Sequence, residues 1–176
     1  MTDAAMNDQI QAMLDRSQID QVLARYSRGV DRVDVGLIRS VYWDEAIDDH
    51  GSFTGNGLDF ADYLGERMPK RHRATTHFVG KTYFASQDAT QARTETAFQA
   101  FSHPTANHEG YVIGGRYIDL FEKRGGEWRI LHRVLAYDWS FTATFHEQTL
   151  GLGVDGGRAP DDRSYGFFAG MEKMAG

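Results

Sequence analysis

Two side chains in this sequence are of the right types to take a proton from carbon: Asp31 and His77. His77 sits in Thr75-Thr76-His77-Phe78-Val79-Gly80, a run with strand character. Alternate residues of a half-buried strand share a face, so His77 points with Val79 and Tyr83, opposite Phe78, Gly80 and Phe84. On an apolar face, burial lowers an imidazole's pKa, whereas a neighbouring carboxylate raises it and fixes the tautomer. An imidazole held in this way works as a general base near neutral pH. Its plainer role is a structural histidine bonded to backbone. Asp31 is the natural partner, in Tyr26-Ser27-Arg28-Gly29-Val30-Asp31-Arg32. Its plainer roles are to cap a second helix or to pair with Arg28 or Arg32 at the surface. Tyr26, five residues before Asp31, does not share its helical face. The two converge only if the helix ends near Gly29 and the chain turns inward.

Other chemistries find less support. Gly151-Leu152-Gly153-Val154-Asp155-Gly156 has dinucleotide-binding spacing, but that motif works only between a strand and a helix of a βαβ unit. Here Arg158-Ala159-Pro160-Asp161 follows and the sequence soon stops. No metal site is expected. No His-x-x-x-His pair occurs, and His103, His108 and Glu109 cluster only around an expected turn. Ser140 has no Gly-x-Ser-x-Gly setting. The absence of cysteine removes thiolate, disulfide and Cys-zinc chemistry.

The elements that must position Asp31 and His77 follow from periodicity. Ile10, Met13, Leu14, Val22, Leu23, Tyr26 and Val30 form one apolar stripe of a long helix, which Gly29 weakens near its end. A second helix fits Val35–Trp43, and a third fits Leu58–Met68, stopped by Pro69. Lys70-Arg71-His72-Arg73 reads as a solvated loop. Then Thr75–Phe84, Ala92–His103, Tyr111–Glu122 and Trp128–Thr144 are rich in β-branched and aromatic residues. Residues 45–54 can add a short strand. Gly125-Gly126 suits a tight hairpin, with further turns at Ser86-Gln87-Asp88 and Pro104-Thr105-Ala106-Asn107. Short turns imply an antiparallel sheet, and helices followed by strands imply an α+β fold. The segment from Gly151 onward has no clear period. Its Phe167, Phe168 and Met171 are available to close a pocket or to meet a neighbouring subunit.

A length of 176 residues fits one domain, expected over 1–176 with its core at about 10–145 and a C-terminal extension at 146–176. With 41% hydrophobic and 25% charged residues, a packed core is expected and disorder is not. A net charge of −6 argues against nucleic acid, which needs clustered Lys and Arg. The N-terminus lacks the basic and apolar regions of a signal peptide, and no run approaches the roughly 20 apolar residues of a membrane span. A cytoplasmic protein is the default expectation, with no membrane partner.

Taken together, Tyr26…Gly29-Val30-Asp31, Tyr42-Trp43-Asp44-Glu45, Thr75-Thr76-His77-Phe78-Val79-Gly80, Gly114-Gly115-Arg116-Tyr117 and Trp128-Arg129-Ile130…Arg133…Asp138-Trp139 resemble the SnoaL-like family of the nuclear-transport-factor-2-like superfamily. The resemblance spans roughly residues 10–145. It implies a cystatin-like cone: a curved antiparallel sheet with N-terminal helices closing a pocket. Among such proteins, gamma-hexachlorocyclohexane dehydrochlorinase and scytalone dehydratase use a histidine–aspartate pair for elimination. Bile-acid 7α-dehydratase, the nearest analogy, adds a tyrosine and a deeper arginine. By resemblance, Asp31, His77 and Tyr26 would be catalytic and Arg133 would bind substrate. The plainer role of Arg133 is a salt bridge to Asp138 or Glu122. Phe98, Phe101, Val112, Ile113, Tyr117 and Trp139 would form pocket walls, half of them facing outward.

The expected activity is a cofactor-free β-elimination, dehydration or dehydrohalogenation, of a small hydrophobic substrate, steroid-like by the nearest analogy. A ketosteroid-isomerase-like or polyketide-cyclase-like isomerase needs the same base without a leaving group. A non-catalytic small-ligand carrier needs neither. The outer face of a curved sheet needs cover, and with the resemblance this implies a homodimer or homotrimer.

Overall fold

The computed structural model describes residues 2–105, 109–145 and 156–171. It opens with a 30-residue helix α1 (Asp3–Arg32), started by Thr2, whose hydroxyl accepts the Ala5 N–H. Of the expected stripe, Val22, Leu23, Tyr26 and Val30 are buried, joined by Ile19, whereas Ile10, Met13 and Leu14 are exposed. The helix does not end at Gly29. It runs through Asp31 to Arg32 and stops at Val33, which adopts a left-handed φ of 52°. Gly29 serves close packing instead: a Cβ there would lie 2.7 Å from the Ile38 side chain of the next helix.

That helix, α2 (Val35–Arg39), is capped by Asp34, which accepts the Leu37 N–H. The expected span to Trp43 is overturned. Val41 and Tyr42 give their backbone to the sheet, with Ile130 N–H donating to Val41 and Tyr42 registered against Ile130. Strand β1 (Tyr42–Asp49) and the short β2 (Thr54–Asn56) follow. Helix α3 (Gly57–Arg71) carries Pro69 in its last turn without stopping there. Lys70-Arg71-His72-Arg73 is therefore not a loop: it joins α3 directly to β3, and His72 is buried.

Strands β3 (His72–Gln87), β4 (Gln91–Pro104), β5 (Glu109–Arg124) and β6 (Glu127–Thr144) form the meander read from the sequence. Gly125 and Gly126, at φ 58° and 87°, make the two-residue turn between β5 and β6. The sheet is curved and unclosed, in the order β2-β1-β6-β5-β4-β3. It is not wholly antiparallel, because β1 pairs parallel with β6. The long connection through α3 and four strands makes that pairing reachable. Helices α1 and α3 pack on one face, the inner face, and bury Phe60, Tyr117, Phe121, Trp128 and Ile130.

Among the described residues no helix is long and apolar enough to cross a membrane. Helix α4 (Arg163–Met171) lies beyond the sheet. Its lead-in and first turn are tied to α1 and the α2 cap: Ala159 N–H bonds the Arg32 carbonyl, Arg28 donates to Ser164, and Tyr165 donates to Asp34 at 2.6 Å. Phe167 and Phe168 remain exposed rather than closing a pocket. Most of Gly151–Gly156, and His108, lie outside the described residues.

Candidate active site

A cavity of about 150 Å³ opens between the inner face and α1 and α3. Tyr26 and Val30 border it from α1, and Phe60, Leu64 and Met68 from α3. His77, Phe98, Ile113 and Tyr117 border it from the sheet.

Asp31 and His77 meet at the edge of this cavity. Asp31, in the last turn of α1, accepts from His77 Nδ1 at 2.6 Å and from the His77 backbone N–H at 2.9 Å. Both side chains are about nine-tenths buried. The carboxylate thus fixes Nδ1 as the protonated nitrogen and leaves Nε2 on the far side of the ring. No described residue hydrogen-bonds that Nε2. A bulge between Val79 and Thr82 then turns Thr82 inward and Tyr83 outward, so His77 and Tyr83 do not share a face.

Tyr26 does not reach Asp31. One and a half turns earlier on α1, it points toward the end of β1, where its hydroxyl lies 3.1 Å from His50 Nε2. Here the structure shows a group that the sequence reading missed. His50 Nδ1 is bonded to Asp48 Oδ1, and the second oxygen of Asp48 accepts the Tyr42 hydroxyl at 2.6 Å. Asp48 is wholly buried, and the His50 ring stacks on Phe60 at 4.2 Å. The signal was the step Asp48-Asp49-His50: two residues apart at a strand end, Asp48 and His50 fall on one face. Asp49, between them, faces out and accepts from Gly51 N–H and Thr54.

Arg133 is buried beneath the cavity floor. Its guanidinium binds Asp119 through two 2.7 Å hydrogen bonds, across a registered β5–β6 pair. It lies between the Tyr26 and Tyr117 rings, 4.3 and 4.1 Å from their centroids. The expected partners Asp138 and Glu122 are taken by Arg116 and Arg124. Arg133 Nη1 is left without a partner among the described residues. Burial raises the pKa values of Tyr26, Tyr42 and Tyr117, so all three phenols stay protonated donors.

Three of the six expected wall residues border the cavity: Phe98, Ile113 and Tyr117, with Phe98 and Tyr117 stacked at 4.4 Å. Phe101, Val112 and Trp139 face the other way. Phe101 and Val112 alternate with inner-face Ala100 and Ile113, and Phe101 meets exposed Phe78 edge-on. Trp139 would share a face with Tyr137, but a bulge at Asp138 turns it over Gly114 on the outer face. Leu135, Tyr137, Thr75 and Ser102 border the cavity instead. Among the described residues no three His, Cys, Asp or Glu side chains group as metal ligands.

No curated protein sequence matches this chain. Solved structures do. A type 2 hexachlorocyclohexane dehydrochlorinase, LinA, is 18% identical with a TM-score of 0.73, the alignment covering 82% of this chain and 99% of that one. A provisionally named scytalone dehydratase from Novosphingobium aromaticivorans is 17% identical at TM-score 0.70, covering 83% and 99%. A nuclear-transport-factor-2-like protein from Salmonella enterica is 17% identical at TM-score 0.62, covering 81% and 99%. At such identities the likeness establishes the fold. The SnoaL-like domain model, however, matches residues 11–134, which holds most of the sheet and every residue of both Asp–His pairs, and the chain belongs to that family.

Proposed function

We propose that this protein is a lyase whose His77 removes a proton from a carbon made acidic by a neighbouring carbonyl, with loss of a leaving group from the next carbon. The Asp31–His77 hydrogen bond of 2.6 Å at the wall of an apolar cavity carries this reading. Asp31 holds the ring with Nε2 as the free base and stabilises the imidazolium that forms. Tyr26 brings its hydroxyl to the same cavity. Arg133, 4.3 Å behind the Tyr26 ring, adds positive potential there rather than a direct contact with substrate. Every step assigned here runs on side chains. Cavities that enclose drug-sized ligands span about 300–1,000 Å³. A volume of about 150 Å³ favours a one- or two-ring substrate over a four-ring steroid.

An isomerase or cyclase would use the same base and keep every atom of its substrate. The test is therefore product mass. Incubation with hydroxylated and halogenated cyclic ketones should release water or halide, and His77→Gln should stop it. Conversion without change of mass would replace the lyase reading with an isomerase, and binding without turnover would replace it with a carrier.

A further inference from the structure

The cavity has two Asp–His pairs, and a base for carbon needs only one. We propose that Asp48, His50 and Tyr26 form an acid arm that protonates a departing hydroxyl, so that the substrate is a β-hydroxy carbonyl compound rather than an organohalide. This rests on the lyase reading above.

The arm is built at the other side of the sheet from the base. His77 is on β3 and His50 directly follows β1, with β6, β5 and β4 between those strands, yet both rings border the same cavity. Asp48 fixes His50 Nδ1 as a donor, so Nε2 is the nitrogen that faces Tyr26. A neutral His50 accepts the Tyr26 hydroxyl hydrogen. A protonated His50 instead donates to the Tyr26 oxygen and frees the phenol hydrogen for the cavity. The groups around His50 are Asp48 from β1, Tyr26 from α1 and Phe60 from α3, with the Asp49 charge beside it and Tyr137 of β6 bordering the same cavity. Arg133 is paired with Asp119, and Asp48 is the carboxylate bonded to the His50 ring.

In the reaction, His77 Nε2 takes the proton from carbon and the C–H pair becomes the new C=C bond. The C–O bond breaks, and the departing oxygen takes the Tyr26 proton. Tyr26 is refilled from His50 Nε2–H, and water leaves. His77 returns its proton to solvent while His50 takes one up. Hydroxide leaves poorly without such a proton, whereas chloride departs as an anion and needs none. A halide substrate would therefore leave Asp48 and His50 with nothing to do.

The test compares β-hydroxy and β-chloro ketones of matched skeleton, from one ring to four. Wild type should eliminate both leaving groups. His50→Gln should lower kcat for the hydroxy ketones about 100-fold, the usual worth of a positioned acid, with KM nearly unchanged. It should leave kcat for the chloro ketones within about threefold, because no acid is needed there. Asp48→Asn, which no longer fixes His50 Nδ1 as the donor, should also lower kcat for the hydroxy ketones and leave kcat for the chloro ketones in place. It also serves if His50→Gln fails to fold. Equal slowing of both leaving groups, or of neither, would make the arm a structural network and overturn the proposal. Wild type acting on chloro ketones alone would overturn the hydroxyl assignment and spare the base. If His77→Gln left both eliminations intact, the lyase reading itself would fail.

Discussion

Asp31 holds His77 by two hydrogen bonds, one to the ring and one to the backbone of the same residue. The second bond locks the strand against the last turn of α1, so the ring cannot drift from its carboxylate. Asp31→Asn keeps the shape but puts an amide where the ring's donor needs an acceptor. Turnover should fall about 10²- to 10⁴-fold with KM little changed, which steady-state kinetics would read. Asp31→Ala also leaves the His77 N–H unsatisfied, which should cost about 1–3 kcal/mol in urea unfolding. Equal kcat losses with no stability difference between the two variants would contradict this division.

The Arg133–Asp119 pair makes a prediction about stability. Both side chains are fully buried. Arg133→Met strands the Asp119 carboxylate and should cost about 3–5 kcal/mol. Arg133→Met with Asp119→Leu removes both charges and should recover most of that loss, because a buried pair contributes little over a well-packed apolar one. Urea unfolding of the two variants at pH 7 separates the cases. A double variant as unstable as the single would show that the rings of Tyr26 and Tyr117, and not Asp119, are what the guanidinium holds in place.

The parts of this site legible in the sequence are those that period alone specifies. The stripe through Tyr26 and Val30 marked α1, and four β-rich runs marked β3 to β6. Asp31 and His77 stood out because a carboxylate and an imidazole sat beside well-marked elements. Asp48 and His50 were hidden because β1 is fixed in the sheet by β6, far along the chain, so nothing local shows that this strand end borders the cavity. Trp139 went wrong for a different reason. Alternation assumes an unbroken ladder, and one extra residue at Asp138 inverts everything after it. Arg133 found Asp119 rather than Asp138 because cross-strand register, invisible before folding, sets which residues face each other.

His72 gives the fold a pH dependence near neutrality. Burial lowers its pKa, and the Arg158 and Arg71 charges lower it further. The unfolded chain therefore binds this proton more readily than the folded one. The contribution is fully present above the unfolded value of about 6.5 and is lost as pH falls from there toward the folded value. Unfolding midpoints in urea should drop between pH 7 and pH 5. His72→Gln should flatten that slope while keeping a polar group near the Tyr111 hydroxyl, which is 3.3 Å from His72 Nε2. An unchanged slope would assign it elsewhere.

Val33 is a β-branched residue at a φ of 52°, where the Schellman-type turn ending α1 calls for glycine. The left-handed conformation costs an L-residue roughly 1–2 kcal/mol, and glycine loses about 0.5–1 kcal/mol in chain entropy. Val33→Gly should therefore stabilise the protein by up to about 1 kcal/mol. A destabilised variant in thermal or urea unfolding would mean that Val33's packing outweighs its backbone strain.

The outer face supplies the last prediction. Phe78 is 62% exposed, Phe141 55% and Trp139 44%, with the Trp139 and Phe141 rings stacked at 6.0 Å and Phe78 edge-on to Phe101. Aromatic surface of this extent on a sheet is rarely left in water. We propose a second copy of this chain as its cover, which makes the working form a homo-oligomer. Phe78 directly follows His77, so the proposed interface would brace the strand that carries the base. Sedimentation should find wild type as a dimer or trimer. Phe78→Lys with Phe141→Lys should give a monomer with unchanged far-ultraviolet circular dichroism and lower kcat. A wild type that stays monomeric across the concentration range would mean these rings serve something other than self-assembly.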